Sequence, residues 1–303
     1  MNLTIPSPVQ SLNLPEAHGR NIQVWIKRDD LIHPEISGNK WRKLKYHLQE
    51  AQQQNRPILT FGGAYSNHLA ATAAAGHLSG IKTIALVRGE RISPLNPTLQ
   101  FAEDHGMELH FISREQYRQK NSTEFLDQVR DQFGSVHLVP EGGYSVQGMQ
   151  GCAELVNEIE EPFDYILTAS GTGTTLAGIA SALSKNQQAI GVPVLKSGEF
   201  ITNEVAALWK IFETKPTIPE LWTDFHFGGY ARITDDLVAF ANSFYREHHI
   251  PLDLVYTAKL FFGLIQRLET DYFPEGSSIV VVHTGGLQGN AGMKQRHGVL
   301  LEY

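Results

Sequence analysis

The stretch FDYILTASGTGTTLAG, residues 163–178, decides how this chain is read. Its apolar run from Tyr165 to Ser170 has the length and composition of a buried strand. A Gly-Thr turn follows at once, and TTLAGIASALSK then takes up helical spacing. A strand that passes through glycine into a helix is the repeating unit of a parallel sheet covered on both faces. The turn itself, Ser170–Thr175, has the makings of an anion cradle. Glycines let N–H groups converge, the helix start adds partial positive charge, and the hydroxyls add donors. A single phosphate suits it, and so does an ordinary capped turn. No Lys-Ser/Thr follows the glycine as in a nucleotide-binding loop, and Gly171, Gly173 and Gly178 miss the dinucleotide spacing.

The same alternation extends in both directions. IQVWIKRDD, PILTFGG, KTIALVRG, ELHFIS, VHLVPEGG, QAIGVPVL and SSIVVVHTGG read as strands. Helical spacing occurs in WRKLKYHLQEAQQQ, SNHLAATAAAGHLSG, NPTLQFAEDHG, STEFLDQVRDQFG, GMQGCAELVNEIE, TNEVAALWKIF, TDDLVAFANSFYREH and TAKLFFGLIQRLE. The expected class is therefore α/β with open, mostly parallel sheets flanked by helices. Ligands in such folds bind where glycine-rich turns leave the carboxyl ends of strands. Four turns have that character: Ser37–Lys40, Gly62–Asn67, Ser170–Thr175 and His283–Gly286.

Composition narrows the partners. The 303 residues are 42% hydrophobic and carry a net charge of −7, with no basic tail, which disfavours nucleic acid and anionic membranes. No run of 18 apolar residues is present, and MNLTIPSPVQSLNLPEA lacks the charged and apolar regions of a secretion signal. Cys152 is the single cysteine, so a reducing, cytoplasmic setting is expected. Histidines are numerous but show no His-Glu-x-x-His, and no metal site is expected. Ser145 in GGYSVQG lacks the second glycine of a hydrolase nucleophile turn.

Lysine is the remaining nucleophile. In ISGNKWRKLKYHL, residues 36–48, Lys40 and Lys43 fall within about 60° of each other on a helix, whereas Arg42 and Lys45 point elsewhere. A lysine beside a glycine turn and a second cation has a lowered pKa and a usable amine. An exposed basic helix start accounts for the pattern as well. Ser66 and Asn67 likewise read as helix N-caps or as ligands facing the same crevice. Tyr230 and Tyr256 lie beside loop-like sequence, where a phenol is either packing or contact surface.

Taken together, IKRDDL…SGNKWRKL, GGAYSNH, TASGTGTTLAG, VYTAK and VVHTGG come in an order that resembles the fold type II, tryptophan-synthase-β-like pyridoxal-phosphate enzymes. Within them the chain is similar to the branch of D-cysteine desulfhydrase and 1-aminocyclopropane-1-carboxylate deaminase. The resemblance implies two domains, 1–52 with 152–303 binding most of the cofactor and 53–151 inserted between them, with the cofactor in the cleft. It implies that Lys40 forms the Schiff base and acts as base. Lys43 with Gly171, Thr172, Gly173, Thr174 and Thr175 would hold the phosphate, and Asn67 the ring oxygen. Ser66 would sit over the substrate, and Tyr230 and Tyr256 would line its pocket. Deaminases carry an acid where this chain has Thr257 and a leucine where it has Thr284, and both threonines would contact the cofactor, with a hydroxyl as partner of the ring nitrogen. Those two threonines, with His68, favour the desulfhydrase, an α,β-elimination from D-cysteine to pyruvate, ammonia and sulfide. The deaminase reaction, a catalytically silent cofactor-binding protein and a pyridoxal-independent anion binder are the rivals. A small amino acid is the expected substrate and a homodimer the expected assembly.

Overall fold

The computed structural model describes residues 1–36, 38–211 and 216–303. Ser37 of the Ser-Gly-Asn turn and Phe212, which ends TNEVAALWKIF, lie outside them. Ten strands form two sheets among the described residues. The larger contains β1 (Val9–Ser11), β2 (Gln23–Lys27), β7 (Tyr165–Ser170), β8 (Gln188–Pro193), β9 (Glu220–Leu221) and β10 (Ser278–Val282). Their order is β1-β2-β10-β7-β8-β9, parallel except for the edge pair β1 and β2. The smaller sheet, β5-β4-β3-β6, is all parallel and contains β3 (Ile58–Gly63), β4 (Thr83–Arg88), β5 (Glu108–Ile112) and β6 (His137–Val139).

The apolar strands are continuous because both faces are covered. In β10, Ile279 and Val281 enter one core with Phe261 and Leu264, while Val280 and Val282 enter another with Leu176 and Ile179. All four are fully buried, a contribution of roughly 1.5–3 kcal/mol each. The smaller sheet repeats this scheme. Leu59 and Phe61 of β3 meet Tyr117 and Phe125 on one side, and Ile58 meets the alanines of helix α2 (Asn67–Ser79) on the other. That helix is buried all round from Asn67 to Gly76, which explains its small side chains.

Helix α1 (Asn39–Gln53) packs on α2 and on α3 (Val146–Asn157), and α3 packs on α4 (Thr174–Ser181). The contacts are close enough to exclude side chains. A Cβ at Gly151 would lie 2.0 Å from the Arg42 carbonyl oxygen. Arg42 itself anchors a buried ionic cluster. Its Nε and Nη2 donate to the Asp29 carboxylate at 2.7 and 2.8 Å, and Nη1 and Nη2 donate to Glu158 at 2.8 Å. Lys27, wholly buried at the end of β2, reaches Glu158 at 2.8 Å. Burial alone would push the Glu158 carboxyl up, but Arg42 and Lys27 hold it down at about 2. Glu158 therefore remains ionised until pH falls to that range.

Breaking such a cluster from one side leaves buried charges uncompensated. Arg42→Leu should lower unfolding free energy by about 3–5 kcal/mol in denaturant titration. A loss under about 1 kcal/mol, as for an exposed pair, would show that the cluster does not hold α1 in place.

Candidate active site

The carboxyl ends of β3 and β7 and the starts of α1, α2 and α4 open on one cleft of about 760 Å³. Its entry at α1 is set by Gly38, whose φ is +60° and whose added Cβ would lie 1.9 Å from the Thr284 carbonyl oxygen. Only glycine allows this approach. The Asn39 N–H then donates to that carbonyl at 3.3 Å, which brings the first turn of α1 beneath the end of β10. Lys40, the next residue, is half-buried on the cleft wall. Its Nζ donates to Asn39 Oδ1 at 3.3 Å and stands 5.9 Å from the centre of the Tyr256 ring. Burial, and then the neighbouring Lys43, bring its pKa down to about 7. The amine is thus available in neutral form at neutral pH, increasingly so above it.

Lys43 lies almost one turn further along the same face, 4% exposed, and donates to the Gly142 carbonyl at 3.3 Å. Burial lowers its pKa as well. Opposite stands the Gly/Thr turn. Gly173, at φ +79°, caps α4 with no side chain to satisfy the first N–H groups, which are left for a ligand. Asn39 Nδ2 donates to Thr175 Oγ1 at 2.9 Å and so docks this turn onto α1. The Ser170 hydroxyl at its start is buried without a partner among the described residues.

The third wall is the start of α2. Ser66 occupies the N-cap position, yet its hydroxyl makes no cap hydrogen bond and faces the cleft. Asn67 donates to the Gly286 carbonyl at 3.4 Å, and its Oδ1 is buried with no partner among the described residues. The ring of His68 is fixed by Thr60, whose hydroxyl donates to the Val139 carbonyl at 2.7 Å. That leaves the hydroxyl to accept from His68 Nε2 at 2.8 Å and assigns the proton to Nε2. Burial first, then Lys40 and Lys43, hold His68 well below its ordinary pKa, hence neutral.

Tyr256 and Tyr230 close the fourth side, edge to face with centroids 6.1 Å apart. Tyr256 precedes α5 (Thr257–Glu269), whose first N–H groups are capped by the buried Asp253 carboxylate at 2.7 and 2.8 Å. Tyr230 is 47% exposed on a loop. Lys259, wholly buried in α5, donates to the His226 and Gly229 carbonyls at 2.9 and 2.8 Å, and so holds that loop over Tyr256.

The structure brings together Lys40, Lys43, Ser66, Asn67, Gly171, Thr172, Gly173, Thr175, Tyr230 and Tyr256 on one cleft. Three expected residues stand off its wall. Thr174 turns its hydroxyl to Thr172 at 3.0 Å. The wholly buried Thr257 accepts at Oγ1 from the Asp253 N–H at 2.8 Å. Thr284, 6% exposed, is turned toward Gly38 and Asn39 by its carbonyl. Sequence reading passed over Asn39 and Lys259, although both lie inside the Gly-Asn-Lys and Val-Tyr-Thr-Ala-Lys motifs it used. It also stopped before α6 (Gly289–His297), which adds Gly289, Met293 and Arg296 to the cleft. GNAGMKQRH has no apolar periodicity to announce a helix.

The idle hydroxyl of Ser66 gives a test. Ser66→Ala should change unfolding free energy by less than about 0.5 kcal/mol, because no cap is lost. Ser145→Ala, which removes the hydroxyl that accepts from Gly148 N–H at 2.9 Å, should cost about 1 kcal/mol. Equal losses in chemical denaturation would return Ser66 to a structural role.

Known proteins place this arrangement. A crystal structure described as that of the ACC deaminase homologue superposes with a TM-score of 0.81 at 29% identity, covering 97% of this chain and 94% of its own. A putative 1-aminocyclopropane-1-carboxylate deaminase of Pyrococcus horikoshii is 32% identical over 93% of this chain and 90% of its own length. The bifunctional D-cysteine desulfhydrase/1-aminocyclopropane-1-carboxylate deaminase of Arabidopsis thaliana is 30% identical over 94% of this chain and 77% of its own. A D-cysteine desulfhydrase of Yersinia enterocolitica is 28% identical over 92% and 91%. Pyridoxal phosphate fits the residues that share the cleft: a low-pKa amine at Lys40, the glycine-opened start of α4, the Lys43 amine, and Asn67, whose Oδ1 has no partner among the described residues. Residues 2–285 match the family described as pyridoxal-phosphate dependent enzyme, and the chain belongs to it, a fold type II enzyme that uses pyridoxal phosphate.

Proposed function

We propose that the chain is a lyase that eliminates the β-substituent of a small amino acid, with D-cysteine as its substrate and sulfide, pyruvate and ammonia as products. The observation that carries this reading is the Lys40 amine, near neutrality in pKa and open to the cleft beside Tyr256 and the free Ser66 hydroxyl. Bound pyridoxal phosphate supplies an electrophilic aldehyde carbon and a ring that takes up the electron pair of a broken Cα–H bond.

The chain's own residues do the rest. Lys40 anchors the cofactor through its amine and, once displaced by substrate, takes the Cα proton on that nitrogen. Lys43 stays cationic against phosphate, where the first N–H groups of α4, that of Thr174 among them, and the hydroxyls of Thr172 and Thr175 would join it. Asn67 keeps one amide N–H for the ring oxygen, the other going to Gly286. Ser66 and the start of α2 hold the substrate carboxylate, and Tyr230 with Tyr256 walls the side chain and excludes water. Where deaminases of this branch place an acid, this chain has the uncharged Thr257, and the Asp253 carboxylate four residues before it is engaged with backbone N–H groups. Expelling sulfide makes smaller demands on the electron sink than opening a cyclopropane ring, so this environment favours β-elimination.

The Pyrococcus and Arabidopsis relatives carry the deaminase name, which makes 1-aminocyclopropane-1-carboxylate the second reading. We also read the protein as a cytoplasmic homodimer of two-domain chains, 1–52 with 152–303 and 53–151. In support, the strands of the smaller sheet all fall between residues 58 and 139. No helix among the described residues is long and apolar enough to cross a membrane.

Product analysis of the holoenzyme decides between the substrates. D-Cysteine should yield sulfide and pyruvate in equal amounts, with Lys40→Ala lowering kcat by about a thousandfold or more. Faster release of α-ketobutyrate from 1-aminocyclopropane-1-carboxylate would establish the second reading. No product from either would overturn both.

A further inference from the structure

Besides Lys40 and Lys43, three cations face the cleft, Arg88, Lys120 and Arg296, against two carboxylates, Glu141 and Glu204. The wall is basic in a protein whose net charge is −7. Lys120 is engaged, 3.3 Å from Glu141. Arg88 is not: among the described residues its guanidinium makes no hydrogen bond and no ion pair. It is an exposed residue whose backbone is fixed in the sheet and whose side chain lies along a ring. Arg88 ends β4 in register with Gly63 of β3, and its guanidinium lies 5.5 Å from the centre of the buried Tyr117 ring. Its Nη2 lies close to Gly63, 3.6 Å from where a Cβ there would stand. Gly63 begins the loop that carries Ser66 into the cleft. The unpaired cation therefore stands beside the loop that receives the substrate.

Resting on the lyase reading above, we propose that Arg88 binds an anionic tail on the substrate's β-substituent. The substrate class then widens from cysteine to cysteine thioethers bearing a carboxylate beyond the sulfur. The chemistry is unchanged. Lys40 takes the Cα proton, the Cβ–S bond breaks with its electron pair on sulfur, and the released thiolate is protonated. One water then converts the three-carbon fragment to pyruvate and ammonia. A planar guanidinium suits a carboxylate through two parallel hydrogen bonds.

The test compares S-carboxymethylcysteine with its neutral isostere, S-carbamoylmethylcysteine, in both D and L forms on holoenzyme. Wild type should favour the carboxylate in kcat/KM by about tenfold, chiefly through KM, and in Kd read from cofactor absorbance by a similar factor. Arg88→Met should bring both ratios to about one, and Arg88→Lys should restore part of them. Because each ratio is internal to one protein, a variant that is merely less stable lowers both substrates alike. Equal ratios in wild type and Arg88→Met would overturn the proposal. So would sulfide from D-cysteine with no pyruvate from either thioether, an outcome that leaves the lyase reading standing. Failure of all three substrates removes the lyase reading and this inference with it.

Discussion

An amine taken out of water beside a second cation prefers to be neutral, and the chemistry of this protein depends on that preference at Lys40. Burial and Lys43 together bring the pKa of the amine to about 7, where, in the function proposed, it would serve both as nucleophile and as proton acceptor. Lys43 is displaced in the same direction by its own burial. An anion between Lys43 and the start of α4 is what would keep it charged, so the phosphate site and the reactive amine are one electrostatic arrangement. A chain that lost either lysine would lose the reason for the other.

Holding two lysines there is the work of the surrounding scaffold. Gly38 allows the backbone to touch Thr284, and Asn39 joins α1 both to that carbonyl and to Thr175 across the cleft. Behind them Arg42, two residues beyond Lys40 and pointing the other way, is bound to Asp29 and Glu158 on the hidden side of the helix. The cleft face and the anchoring face of α1 thus lie within one helical turn, and elements far apart in sequence meet at it. Lys259 does the same for the opposite wall, where two carbonyl contacts fix the loop of Tyr230.

Much of this was legible in the amino-acid sequence because its cues are local. The apolar run at 279–282 is continuous since both faces are covered, and its length separates it from a helix. The Gly-Thr turn and the Gly-Asn-Lys turn announce backbone that only glycine permits. What escaped depends on long-range contact. Whether Ser66 caps its helix or faces a ligand cannot be read from its type, since both uses want a hydroxyl there. Thr257 and Thr284 were placed at the site by motif, whereas the hydroxyl of one answers a local backbone N–H and the carbonyl of the other answers α1. Helix α6 went unseen because its buried face is Gly289, Asn290, Gly292 and Met293, of which Met293 alone has a large apolar side chain, so no apolar period forms.

The most direct measurement is peptide mapping by mass spectrometry after pyridoxal phosphate is added near pH 7.5 and the adduct is reduced with borohydride. The account predicts a pyridoxyl group on Lys40 alone, with Lys43 and Lys259 unmodified. A label on Lys43, or one spread over exposed lysines with Lys40 bare, would contradict it.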